Sequence, residues 1–170
     1  MLKKVLSIFL VLMFISTCGC SQKKDTSTGS IKLLDYSLRS VNGDYVNLST
    51  IKAKVIIVDF WDTWCPPCKV EIPGFIGLYK KYHSKGLEIL GLALGRRGVG
   101  DVLDFVTQKG INYPCYIASD DIISAFGGIR GIPTTFVLNS KGVIYRKYVG
   151  MRPISVFEND IQDLLKNEGK

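Results

Sequence analysis

The stretch TWCPPCKVEIP, residues 63–73, carries the densest potential chemistry in this 170-residue chain. Cys65 and Cys68 stand three apart, separated by Pro66 and Pro67 and followed by Lys69 and Glu71. Two thiols at that spacing can clip a metal, staple a loop, or cycle between dithiol and disulfide. Structural zinc wants four ligands, commonly two cysteine pairs or one pair with two histidines. Past residue 30 the chain offers Cys65, Cys68, Cys115 and the lone His83, which sits in the polar stretch KKYHSKG and reads as a solvated surface residue. Ligand scarcity counts against zinc, although two thiolates leave Cu(I) open. A staple stabilises according to the loop it closes, and this pair closes a minimal one.

Redox exchange uses the neighbouring residues best. KVIIVDF (54–60) is a nearly continuous β-branched run, the signature of a central strand buried on both faces. It leads into the cysteines at what reads as a helix start. Prolines are tolerated in a first helical turn, where backbone N–H groups have no partner in any case. The partial positive charge there stabilises a thiolate. Cys65 is then the exposed nucleophile and Cys68, one turn deeper, the resolving thiol. Because Pro66 and Pro67 lack amide protons, the Cys65 sulfur depends mainly on the N–H of Cys68. That limits thiolate stabilisation and predicts a pair that is not a strong oxidant.

The remaining elements must hold this junction in place. LLDYSLRS and YVNLS flank VNGD, an Asn-Gly hairpin signal. Helix-like spacing of Val70, Phe75, Leu78 and Tyr82 continues to residue 85. LEILGLAL (87–94) reads as a second buried strand, and GDVLDFVTQKG (100–110) as a helix closed by Gly110. YPCYIAS, a helical piece near 120–127, the hairpin TTFVLNSKGVIYRKYVG and the amphipathic SVFENDIQDLLKN complete the series. Strands alternating with helices in this way give a mixed α/β sandwich. GRRGVG (95–100) lacks both dinucleotide and Walker spacing and reads as a basic connector.

The N-terminus bears on location. MLKK precedes an apolar run at residues 5–15 broken only by Ser7, too short for the about 20 residues that span a bilayer but of signal-peptide size. STCGC follows, and a cysteine there resembles the lipobox of bacterial lipoproteins. Cys20, preceded by Gly19 and followed by Ser21, is the lipidation candidate, with Cys18 the alternative. An ordinary secretory signal or an uncleaved anchor would equally place the domain outside the cytoplasm. The expected organisation is a signal peptide at 1–19, a polar tether at 20–30 and one domain at 31–170. Residues 21–30 as a flexible coil reach about 17 Å, which keeps the domain near the membrane. With 46% hydrophobic residues the chain can bury a core without a disulfide framework. The net charge of +7 is spread along the sequence with no aromatic-basic interleaving, so nucleic acid is not an expected partner.

VDFWDTWCPPCK together with GIRGIPTTFVLNSKG resembles the thioredoxin superfamily, in its TlpA/ResA-like membrane-anchored branch, over residues 31–170. The resemblance implies a thioredoxin-like three-layer sandwich with an N-terminal β-hairpin, and a thiol:disulfide oxidoreductase of exported proteins, cytochrome c maturation among the examples. It implies no cofactor beyond the Cys65–Cys68 disulfide, disulfide-containing exported substrates, and re-reduction by a membrane thiol-transfer protein. The working unit is expected to be a monomer, held at the extracytoplasmic face by the N-terminal lipid. It further implies that Pro133 is cis and faces the cysteine pair, with the backbone of Ile132 free to pair with a substrate strand. Trp64, Pro66 and Pro67 would complete the docking surface, while Trp61 belongs to the core. Two acids are candidates for moving the proton of the resolving thiol: Asp59, ending the buried strand, and Glu71, one turn beyond Cys68. Both stay open. Asp62 departs from the family pattern, its charge raising the thiolate pKa against the opposing Lys69. Cys115 reads as a small buried hydrophobe, with a third redox role as the alternative. A peroxiredoxin-like peroxidase would want Thr three residues before its cysteine, where Asp62 stands, and a copper chaperone is the rival outside enzymes.

Overall fold

The apolar run before the cysteines becomes β3 (Val55–Trp61), buried at every position. The computed structural model describes residues 36–167, so the signal sequence, the tether and Cys20 lie outside the described residues. Around β3 the sheet runs in the order β2 (Tyr45–Asn47), β1 (Ser37–Ser40), β5 (Cys115–Ile117), β4 (Leu87–Ala93), β3, β6 (Thr134–Asn139), β7 (Ile144–Val149). β4 is parallel to β3 and to β5, whereas β6 is antiparallel to β3 and to β7. The parallel pair requires a long crossover, supplied by α1 (Pro66–Tyr82).

A strand buried on both faces sends alternate side chains to opposite cores. Val55, Ile57 and Trp61 pack with Phe75 of α1, Val102 of α2 (Val99–Lys109) and Phe157 of α4 (Ile154–Asn167). Ile56, Val58 and Phe60 pack instead with Ile122 of α3 (Asp120–Ala125) and with Phe126. Three helices therefore cover one face and α3 the other, the expected three-layer arrangement. Phe75 and Phe157 bring α1 against α4 with ring centres 5.0 Å apart, a contact of about 1 kcal/mol beyond its buried area. That contact helps seat the helix that begins with the cysteines.

Three local expectations need correction. β3 continues two residues past Asp59, so this acid lies inside the strand and not at its end. The second hairpin strand stops at Asn47, because the Asn47 side chain accepts from Ser49 N at 2.9 Å and coils Leu48–Thr50 into one 3-10 turn. Val70 is not a core residue: it is 66% exposed. The inward stripe of α1 runs Cys68, Glu71, Ile72, Phe75, Leu78, Tyr82, and Val70 lies off that face of a 3.6-residue helix.

Candidate active site

Cys65 is the N-cap of α1, with extended backbone, and Pro66 and Pro67 fill the first helical positions. Its sulfur is bonded to Cys68, the Cα atoms standing 5.4 Å apart. The N–H of Cys68 donates to the Cys65 sulfur at 3.2 Å, the one amide partner left once both prolines have removed theirs. Contrary to expectation Cys65 is not exposed: it retains 2% of its accessible surface and Cys68 1%. Both cysteines belong to the core cluster that includes Trp61 and Ile72. Trp64, 37% exposed, marks the surface beside it, and the Arg96 guanidinium lies 5.7 Å from the Trp64 ring centre. Trp61 is fully buried.

Asp62 is buried, its carboxylate accepting from Thr63 N at 2.7 Å and from Arg96 N at 3.2 Å. It ties the loop before the cysteines to the turn after β4, and Thr63 Oγ1 adds a hydrogen bond to Asp101. The basic connector 95–100 is therefore anchored to the site through its backbone.

The Ile132–Pro133 peptide is cis. Thr134 pairs with Phe60 across β6 and β3, so Pro133 stands level with the end of β3, from which the cysteine helix departs. Pro133 is buried and its carbonyl accepts from Gly150 N at 2.8 Å. Ile132 packs against the core cluster that contains both cysteines.

Asp59 and Glu71 both turn into the interior, with 1% and 5% of their surface accessible. Burial, reinforced by the charge of Glu71 and opposed by a 3.1 Å hydrogen bond from Thr135 Oγ1, pushes the Asp59 carboxyl up to about 8. Burial also raises Glu71, opposed by the Arg152 N–H that donates to its Oε1 at 2.6 Å and by the Arg152 charge. Glu71 lines a surface groove of about 380 Å³ with Val70, Gly74, Met151, Arg152 and Ile154. Burial likewise pushes the Cys115 thiol up to about 12, with the charge of Asp59 adding to it. Such a thiol carries almost no thiolate at neutral pH, in keeping with a packing residue.

Register aligns these groups. Thr135, Asp59, Gly91 and Cys115 occupy one row across β6, β3, β4 and β5, and side chains in one row share a face. A Cβ at Gly91 would lie 3.0 Å from both Cys115 Sγ and Trp61 Nε1 and 3.2 Å from Tyr113 Cε2. Glycine is what lets these side chains close over the strand. Thr135, Gly91, Tyr113, Arg96 and Arg152 were not singled out from sequence. Only strand register and loop return bring them to the site, and a linear motif carries no such signal.

A disulfide pair at the exit of a buried strand, an ionisable acid within that strand and a cis-proline level with its end place this protein among the thioredoxin-like thiol-disulfide oxidoreductases. The chain belongs to the AhpC/TSA family, which it matches over residues 31–147. It is 31% identical over 144 residues to the thiol-disulfide oxidoreductase ResA of Bacillus subtilis, covering 85% of this chain and 79% of that protein. Among solved structures, a thiol:disulfide interchange protein of the thioredoxin family from Chlorobium tepidum matches with a TM-score of 0.70 at 34% identity, over 76% of this chain and 92% of that one. StoA from Bacillus subtilis matches with a TM-score of 0.63 at 25% identity, over 73% of this chain and 93% of that one.

Proposed function

We propose that this oxidoreductase works as a reductase of exported protein disulfides, with no cofactor beyond its own dithiol. The Cys65 thiolate attacks a substrate disulfide, forms a mixed disulfide and releases one substrate thiolate. Cys68 then gives its proton to an internal acid, and its electron pair forms the bond to Cys65 while the second substrate sulfur leaves as a thiolate. Two electrons pass to the substrate, and the enzyme is left as the Cys65–Cys68 disulfide, to be reduced again by a membrane thiol-transfer protein. Asp59 and Glu71 are the proton acceptors in this reading, and Trp64, Pro66, Pro67, Ile132 and Pro133 form the docking surface. Apocytochrome c is one substrate of the required chemistry.

The observation that carries the direction is the single amide donor at the Cys65 sulfur. A thiolate with little support makes the dithiol form easy to oxidise. Equilibration against glutathione should give a potential at or below the about −200 mV of glutaredoxin-like pairs. A value near the about −120 mV of strong periplasmic oxidants would reverse the direction. Peroxide turnover should be absent, since Asp62, fixed by two backbone N–H groups, occupies the position where the peroxidase reading needs threonine.

We further propose lipid attachment at Cys20, supported by the signal-like run and the small residues around it. Among the described residues no helix is long and apolar enough to cross a membrane. Cys20→Ser should lose a radiolabelled palmitate signal and leave the membrane fraction, while Cys18→Ser keeps both. The reverse pattern would move the attachment to Cys18.

A further inference from the structure

Positive charge that is spread along the sequence gathers in space around the cysteine pair. Three loops meet there, and each carries an exposed arginine. Arg96 sits in the turn after β4, where its N–H holds Asp62 and its guanidinium lies over Trp64, the neighbour of Cys65. Arg130 stands three positions before the cis-proline, in a loop closed by the bond from Thr134 Oγ1 to the Gly131 carbonyl at 2.6 Å. Arg152 follows β7. Its N–H holds Glu71, and its guanidinium donates to the Gly150 and Met151 carbonyls of its own loop. Among the described residues none of the three forms an ion pair.

The nearest acids do not offset this charge at the surface. Asp59, Asp62 and Glu71 are buried and already accept hydrogen bonds, from Thr135, from the N–H groups of Thr63 and Arg96, and from the Arg152 N–H. Asp101 is exposed and accepts from the Thr63 hydroxyl, one acid against three arginines. The same segments carry apolar surface. Of the five large hydrophobic residues exposed among those described, four belong here: Trp64 and Val70 flank the pair in sequence, and Val149 and Met151 lead to Arg152. Single exposed apolar residues are ordinary, but four framing one site mark an interaction surface. Tryptophan, methionine and arginine are also the residue types enriched at interfaces. Arg130, Thr134, Lys147 and Val149 line a hollow of about 350 Å³ that has no acid in its wall.

We propose that this rim selects protein substrates whose disulfide lies in an acidic stretch with apolar residues, and that Arg96, Arg130 and Arg152 are the specificity-determining groups. The proposal rests on the thiol–disulfide exchange read above and names its substrate class. Aspartate or glutamate within a few residues of the attacked cysteine meets the arginines, while Trp64 and Met151 take the apolar side chains. Complementary charge speeds encounter with such a segment and disfavours a basic one. The bonds made and broken in the exchange are unchanged; the rim decides which disulfides reach Cys65.

Three synthetic peptides test this, identical except that the residues flanking a disulfide loop are Glu, Gln or Lys. Oxidation of the reduced protein by each is followed by stopped-flow tryptophan fluorescence. Each rate is divided by that of dithiothreitol with the same peptide, which removes the peptide's own reactivity. At low salt the Glu peptide should react about tenfold faster than the Gln peptide, with the Lys peptide slower still. Salt at about 0.5 M should erase most of the difference, because charges are then screened within a few ångströms. Arg96→Gln, Arg130→Gln and Arg152→Gln should each slow the Glu peptide roughly threefold, the scale of one exposed charge pair, and leave the Gln peptide unchanged. The backbone contacts to Asp62 and Glu71 survive these substitutions. Lysine at all three positions should keep the preference, which separates charge from packing. Equal normalised rates for the three peptides, or a preference that survives glutamine at all three positions, overturn the proposal. Binding of the same peptides with serine in place of cysteine, read from the Trp64 indole resonance of the disulfide form, involves no exchange. If no peptide is reduced while binding keeps the order Glu, Gln, Lys, the rim stands and the reductase reading falls. Binding without that order overturns the rim.

Discussion

Cys68→Ser is expected to turn the protein from a catalyst into a trap. Cys65 can still attack a substrate disulfide, but the thiol that would release the product is gone. Mixed disulfides through Cys65 should therefore accumulate in cells and be recovered under non-reducing conditions, dissolving on addition of dithiothreitol. Turnover should fall by at least about a hundredfold, the scale on which a missing nucleophile step acts. Cys65→Ser should lose activity to the same extent and trap nothing, because the N-cap sulfur that attacks substrate is gone and Cys68 sits a turn further along the inward stripe of α1. Little stability is at stake in either variant. The pair spans three positions at one helix end, and the entropy gained by cross-linking scales with the loop closed. If Cys68→Ser yields no mixed disulfides and the wild-type pair stays reduced or binds copper, the oxidoreductase reading fails at its centre.

The second large effect concerns Asp59. Its carboxyl titrates near 8 in the fold against 3.8 when unfolded, chiefly because burial penalises the charge. The stability associated with the neutral acid is complete below pH 3.8, declines above it, and is lost as pH rises through about 8. Beyond that point the native state must hold a buried carboxylate, at a cost of several kcal/mol. Asp59→Asn cannot ionise and still offers Thr135 Oγ1 an acceptor. The variant should match the wild type in denaturant unfolding near pH 4 and exceed it increasingly up to pH 9. Resolution by Cys68 should slow at least about a hundredfold, the low end for a general base. Stability would thus rise as function falls. A stability gap that does not change with pH would mean that Asp59 is not the buried titrating group.

Much of the site was already legible in TWCPPCKVEIP. The paired thiols, the prolines at a helix start and the dependence of the Cys65 sulfur on one N–H follow from local rules, and the structure reproduces each. Asp59 and Glu71 were legible as candidates through their offsets from the cysteines, one in the preceding strand and one a turn beyond. Val70 and the exposure of Cys65 were misjudged for related reasons. Helical spacing identifies a periodicity but not which face meets the sheet, and reactivity argued for a sulfur in the open where the fold buries the residue.

What the sequence determined by itself was the chemistry. Thiol spacing, helix-start prolines and strand patterning are local, and local propensities settle them whatever the rest of the chain does. What only the tertiary structure decided was the environment of that chemistry. The row Thr135, Asp59, Gly91, Cys115 draws on four strands, and its alignment depends on register. Arg152 reaches Glu71 across 81 positions, and Thr135 reaches Asp59 across 76. Carboxyl burial, and with it the protonation of the site, arises from these long-range closures. Desolvation depends on everything that surrounds a group, and no stretch of sequence beside it records that.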